Sequence, residues 1–346
     1  MTAVVTPEKI LKDLHSLWAS LGKESAPIES HGVLRACAMT VIVLADDDAA
    51  AAAADRAATA RERSVAQTLG LVMQEHPHRA IIVRVRAGSE PFLDCNVTAQ
   101  CWRPFGRQQQ ICCEQVEMTA AEASLPDAEP VLLAITAPDL PVAVWCRSPR
   151  LSDLPALAKL YARADRLIVD SRDVPDPRAA LTALARVAAA TRGRLSDLAW
   201  TSVTRWREIV AEIFEDPVRR ESLPNLKRVR VLHSPGPAPA TAYYLAGWIQ
   251  AALNRADVEV AFEAVAPIGG GIEGIVLESA TESISIRRAV GTAILIEIGS
   301  LKNCTSAPRL SEAELLGTEL AITGRDPVFE QTLPAAARLA EAPHGS

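Results

Sequence analysis

The chain has 346 residues, of which 49% are hydrophobic, 23% charged and only 4% aromatic, with a net charge of −6. At roughly 150 residues per domain, this length predicts two domains, each with chain enough for a core of its own. The acidic balance and the lack of any local Lys/Arg run exclude a basic nucleic-acid footprint. The longest apolar runs, such as Pro130–Ala137 and Val142–Cys146, fall far short of the ~20 residues that span a bilayer. The N-terminal stretch carries Glu8, Lys9, Lys12 and Asp13 on a helical pattern, which differs from a signal peptide's apolar core. Seven cysteines are an odd number without disulfide-scaffold density, so a cytoplasmic, reducing setting is expected.

In chain order, Ala38–Leu44 reads as a strand ending in Asp46-Asp47-Asp48, which can cap a helix running through the Ala49–Ala54 tract to about Met73. His76-Pro77 stops it. Further strands are expected at His78–Val85, Asp94–Trp102 and Gln109–Met118, the last two antiparallel across the Pro104-Phe105-Gly106 turn. Val131–Thr136, Val142–Cys146 and Arg166–Asp170 read as buried strands, with Leu154–Arg163 helical. A helix over Ala179–Thr191 follows a proline-bearing loop. Asp197–Glu215 then reads as one amphipathic helix closed by Asp216-Pro217. Lys227–His233 is a strand, Ala240–Arg255 a helix, and Val258–Val265, Ile272–Arg288 and Thr292–Ile298 are strand-like runs expected to pair antiparallel. Glu312–Leu320 reads as a short helix, and the end from about Ala340 as frayed. The expected fold is therefore α/β in two domains. Residues 1–178 form a mixed α/β sheet flanked by helices, and residues 179–346 an α+β domain with a largely antiparallel sheet.

Known catalytic patterns find little purchase. Pro267–Gly274 (PIGGGIEG) is glycine-rich, but the strand-like Ile275-Val276-Leu277-Glu278 follows it where a dinucleotide site needs a helix, so a hairpin turn is expected. No phosphate-loop lysine motif and no nucleophile elbow occur. His76 and His78 flank Pro77 without further metal-ligand spacing. Adjacent Cys112 and Cys113 point to opposite faces of their strand, while Cys95 and Cys101 share a face too far apart to bridge. Free buried thiols are therefore expected. Neither a cofactor nor catalytic or metal-binding residues are predicted.

Aromatic and arginine side chains offer more. Trp200, Arg205, Trp206 and Arg207 crowd one predicted helix. Two tryptophans six residues apart cannot share one helical face, so one of them is expected to meet a partner.

Seven segments in order also resemble the glucose-6-phosphate dehydrogenase assembly protein family, OpcA. They are Val33–Leu44 (VLRACAMTVIVL), His76–Val83 (HPHRAIIV), Pro104–Gln115 (PFGRQQQICCEQ), Pro138–Trp145 (PDLPVAVW), Ala164–Arg172 (ADRLIVDSR), Asp197–Glu208 (DLAWTSVTRWRE) and Tyr243–Trp248 (YYLAGW). The resemblance implies a non-catalytic, two-domain protein whose partner is glucose-6-phosphate dehydrogenase and which promotes that enzyme's active oligomer. It gives no catalytic residues to carry over. Contact residues are expected at Trp200, Arg205, Trp206 and Arg207, with Arg107 in the PFGRQQQ turn. Some cyanobacterial members resemble redox adaptors acting with thioredoxin. The cysteines here form no C-x-x-C, so a thioredoxin-type link is not carried over and stays an open alternative. Two other classes also stay open: a sugar-phosphate- or nucleotide-binding α/β enzyme, and a metabolite sensor.

Overall fold

The computed structural model describes residues 5–24, 33–46, 65–88, 90–105, 109–191 and 193–342. It divides into two compact units, Met1–Val169 with Glu312–Thr323, and Asp170–Ser311 with Gly324–Ser346.

In the first unit, helix α1 (Pro7–Glu24) precedes strands β1 (Val33–Arg35) and β2 (Met39–Asp46). Helix α2 (Val65–Val72) leads to β3 (His78–Arg86), β4 (Leu93–Trp102) and β5 (Gln110–Ala121). Strand β2 pairs in parallel with β3 on one side and with β6 (Val142–Cys146) on the other, and β7 (Arg166–Val169) continues the parallel run beyond β6. Covered on both faces, such strands need side chains that are apolar throughout. The central Val41–Leu44 and Ala80–Val83 are accordingly buried. Strand β5 pairs in parallel with β3, and its antiparallel pairing with β4 is the expected one. The aspartate run and alanine tract proposed as a helix start lie, from Asp47 to Ser64, outside the described residues.

One expected strand is a helix. Val131–Thr136 falls on α3 (Leu125–Ala134), where Leu125, Ala128, Val131 and Leu132 recur at three- and four-residue spacing and are buried. A short apolar run fits a buried helix as well as a buried strand, and Pro126 in the first turn favours the helix. Buried Glu129 on the same helix accepts the backbone N–H groups of Lys159 and Leu160 at 2.7 and 3.1 Å, holding the start of α4 (Ala158–Arg163).

Buried Glu114 on β5 ties the first unit together. Its carboxylate accepts from Trp18 Nε1 on α1 at 2.6 Å and pairs with Arg35 at 2.7 Å and Arg79 at 2.6 Å. Removing one member of a buried ionic cluster strands the others. Glu114→Gln is therefore expected to cost about 3 kcal/mol in urea unfolding. Glu122→Gln, at an exposed pair, should cost less than about 0.5 kcal/mol. Equal costs would contradict this role for Glu114.

The second unit begins with α5 (Pro177–Thr191) and the short strand β8 (Leu195–Asp197). The helix expected over Asp197–Glu215 is two, α6 (Leu198–Ser202) and α7 (Thr204–Ile213), which break at Val203. Asp216 does not merely end the second. It caps α8 (Pro217–Ser222) by accepting the Val218 N–H at 2.9 Å.

The sheet of this unit has the order β10-β9-β11-β12-β13-β14. Its strands are β9 (Leu226–His233), β10 (Glu259–Ala264), β11 (Ile272–Ser279), β12 (Ser283–Arg288), β13 (Ala293–Ile298) and β14 (Leu301–Ser306). Strands β9 and β10 pair in parallel, because helix α9 (Ala240–Leu253) forms the crossover between them, so Val258–Val265 does not join the antiparallel pairing expected of it, while the sheet as a whole is largely antiparallel as expected. The remaining pairs are antiparallel. Ile272–Arg288 splits into the hairpin β11–β12, and β14 is an edge strand that composition did not signal.

Two helices close the chain, α10 (Glu312–Ala321), which belongs to the first unit, and α11 (Pro327–Glu341). Of the end expected to fray from about Ala340, Ala340 and Glu341 are the last turn of α11, with Ala340 buried, and residues 343–346 lie outside the described residues. In the second unit, α9 and α11 approach so closely that a Cβ on Gly247 would stand 2.7 Å from the Ala336 backbone nitrogen. A glycine is needed there for the contact, not for backbone flexibility.

Candidate functional site

The Trp/Arg segment is held by a carboxylate. Asp197 is fully buried at the start of α6. It accepts from the Ala199 N–H at 2.9 Å, the Ser171 N–H at 3.1 Å, the Ser171 hydroxyl at 2.5 Å and the Tyr244 hydroxyl at 2.8 Å. Burial pushes its pKa up to about 6, and the hydrogen bonds from Ser171 and Ala199 offset part of that rise.

This anchor turns Trp200 inward, against Tyr244 and Phe329 at centroid distances of 6.1 and 5.9 Å, with Nε1 donating to Asp326 at 2.8 Å. The break at Val203 then resets the helical phase, so Trp206 also faces inward from α7. Both tryptophans pack within their own unit, whereas a single helix would have separated their faces. The expected outward tryptophan is thus corrected by the break.

Arg205 and Arg207, on either side of Trp206 in sequence, are both half-buried. Arg207 stacks over the Trp200 ring at 3.5 Å and donates to Thr204 Oγ1 at 2.8 Å. Arg205 is partly exposed. It pairs with Glu208 and Glu212 at 3.2 and 2.9 Å and reaches β14, donating to the Ser306 carbonyl at 3.2 Å and the Thr305 hydroxyl at 3.0 Å. Arg107 lies outside the described residues.

The glycine-rich segment is not a hairpin turn, since β10 and β11 are separated by β9. It curls over the buried carboxylate of Glu273, which accepts from the Gly270 N–H at 2.6 Å, the Gly269 N–H at 3.3 Å and the Ser234 hydroxyl at 2.8 Å.

The thiols are not all free. Cys101 and Cys112, directly opposite in the β4–β5 register, form a disulfide with a Cα–Cα distance of 4.1 Å. The pairing was invisible in sequence because it lies across two strands, and only their register brings the residues together. Burial pushes the thiols of Cys95 and Cys113 up to about 11, and that of Cys146 up further, which disfavours nucleophilic thiolate. Burial also pushes His78 down to about 4, and its Nδ1 lies 2.7 Å from the His76 carbonyl. Among the described residues, no three His, Cys, Asp or Glu side chains converge as metal ligands. Nor is any described helix long and apolar enough to cross a membrane.

Residues 71–186 match the family model described as the glucose-6-phosphate dehydrogenase subunit N-terminal domain, and residues 194–333 the corresponding C-terminal domain. This chain belongs to the OpcA glucose-6-phosphate dehydrogenase assembly family. It is 24% identical to the OxPP cycle protein OpcA of Synechocystis over 73% of this chain and 47% of that protein. With the protein of the same name from Nostoc punctiforme it shares 24% over 76% of this chain and 65% of the relative. The chain thus spans about half to two thirds of the length of these relatives. In fold it is similar to glucose-6-phosphate 1-dehydrogenase from Mycobacterium avium, with a TM-score of 0.51, 10% identity, and coverage of 88% of this chain and 91% of that one. A 3-ketoreductase from Actinomadura kijaniata aligns at a TM-score of 0.46 and 12% identity, covering 88% of this chain and 96% of that one.

The Asp197 environment gives a pH-dependent prediction. Its folded pKa, about 6, lies above the ordinary 3.8. The folded state therefore holds the proton more tightly. The associated stability, about 3 kcal/mol at ~1.4 kcal/mol per unit, is fully present below about pH 4 and lost as pH rises through about 6. Asp197→Asn cannot gain this increment. The difference in unfolding free energy between wild type and Asp197→Asn should therefore widen in favour of wild type as pH falls from about 7.5 to about 4.5. A difference that stays constant would contradict the assignment.

Proposed function

We propose that this protein is a non-catalytic assembly factor that binds glucose-6-phosphate dehydrogenase and promotes its active oligomer. The observation that carries this reading is the placement of the two dehydrogenase-subunit family domains, at 71–186 and 194–333, in chain order along most of the sequence. The relatives' name, OxPP cycle protein, supports a place in the same pathway. Physically, an assembly factor acts by differential affinity. If it binds the active oligomer tenfold more tightly than the inactive form, it shifts that equilibrium by about 1.4 kcal/mol.

The contact surface in this reading is the α6–α7 segment. Arg205 offers a partly exposed guanidinium, Arg207 and Trp200 form a stacked pair, and Trp206 anchors the helix. Arg107 is the candidate contact in the first half. Arginine and tryptophan commonly carry a large share of interface energy, so one substitution at such a place has a measurable effect.

The test is a titration of this protein into the dehydrogenase of the same source, following activity and the mass of the mixture by light scattering. A saturable rise in activity with a heavier co-eluting species is expected, and Arg205→Ala should weaken it about tenfold without loss of fold. No change in activity or mass, under reducing or oxidising conditions, would overturn the proposal.

A further inference from the structure

The buried face of the second unit's sheet ends on a charge. Along β12, Ile284 and Ile286 point inward beside Ile298 and Ile296 of β13, and the next inward position is Arg288. Arg288 is only 7% exposed. An ionised guanidinium in that place needs partners for its donors. Nη1 donates to the Ala307 carbonyl at 3.3 Å, the Trp206 ring lies 5.5 Å from Cζ, and Nε has no hydrogen-bond partner.

The charges around it do not resolve this. Arg309 opposes the Arg288 charge, and Glu273 favours it while burial works against it. Glu273 is already engaged by Ser234 and by the Gly269 and Gly270 N–H groups.

Both arginines converge on the glycine loop. A Cβ on Gly269 would run into Arg309 Nη2 and lie 2.9 Å from Arg288 Cδ. Arg309 Nη2 also donates to the Gly270 carbonyl at 2.5 Å. Gly270 and Gly271 hold φ values of 80° and 77°, a region other residues enter only with strain. The glycine run therefore lets a backbone loop close over two cations, with Arg288 at its floor and the exposed Arg309 at its mouth.

We propose that Arg288 and Arg309, which converge on the Gly269–Gly271 loop, form a binding site for a phosphate group, free or as a phosphomonoester. Guanidinium forks match the several oxygens of a phosphate in geometry and charge, and the unpartnered Nε supplies a donor at the floor. Glu273 shapes the loop and keeps its amides in place. The site belongs to this chain alone, so it is tested without the dehydrogenase and does not stand or fall with the assembly reading.

The experiment is isothermal titration of the full chain with inorganic phosphate, glucose 6-phosphate and glucose, at constant ionic strength in chloride. Saturable binding of both phosphate compounds, with none of glucose, is the expected result. Tighter binding of the ester assigns a phosphorylated metabolite, and equal or tighter binding of inorganic phosphate assigns the free anion. Arg309→Gln, on the exposed rim, should weaken binding about tenfold with circular dichroism unchanged. Gly269→Ala, which crowds the mouth, should weaken it too. Arg288→Lys, which keeps the charge and loses the fork, should do the same if it folds. Absence of saturable binding by either phosphate compound, or binding unaltered in Arg309→Gln and Gly269→Ala, would overturn the proposal.

Discussion

The second unit depends on one buried carboxylate. Asp197 accepts four hydrogen bonds, from the Ser171 backbone and hydroxyl, the first turn of α6, and the Tyr244 hydroxyl on α9. Through Trp200, which packs on Tyr244 and Phe329 and bonds Asp326, the same anchor reaches the start of α11. An aspartate without water is expensive unless every lone pair is used, and here four donors converge on it. Chain segments distant in sequence are thus fixed against one another by geometry that few other side chains could supply. The direction in which α6 and α7 present their arginines follows from this anchor and from the break at Val203.

Each sheet solves a different burial problem. The parallel strands of the first unit are covered on both faces, so their alternation disappears and the charged Glu114 cluster marks the margin. The sheet of the second unit alternates instead. Its inward row is Val229, Val231, Ile275, Leu277, Ile284 and Ile286. Its outward row carries paired charges, among them Arg230 with Glu263 and Glu278, and Lys302 with Glu297. An inward arginine in such a sheet is an exception to its own pattern, and that is what gives Arg288 its significance.

Much of this was legible in the sequence. Strands such as Met39–Asp46, His78–Arg86 and Val142–Cys146 announce themselves by unbroken Val and Ile runs, and Ala240–Leu253 by its helical composition. What escaped needed a third dimension. Val131–Thr136 is apolar enough for either state, and the packing of α3 decided it. The break at Val203 leaves no proline or glycine behind, so periodicity ran straight through it. Cys101 meets Cys112 only through the β4–β5 register. The glycine loop could be recognised as special, yet its partners Arg288 and Arg309 lie beyond it in sequence and are brought to it by the β12 register and the chain after β14. Site residues that come from separate elements carry no local signature.

The most direct test of the central claim is hydrogen exchange at the amides bonded to Asp197. If that carboxylate organises the second unit, the Ser171 and Ala199 amides exchange only with unfolding of the unit, as slowly as those of Val231 and Ile275 in the sheet interior. Exchange at Ser171 and Ala199 as fast as in the exposed turns, while the sheet stays protected, would show that the unit holds together without the anchor.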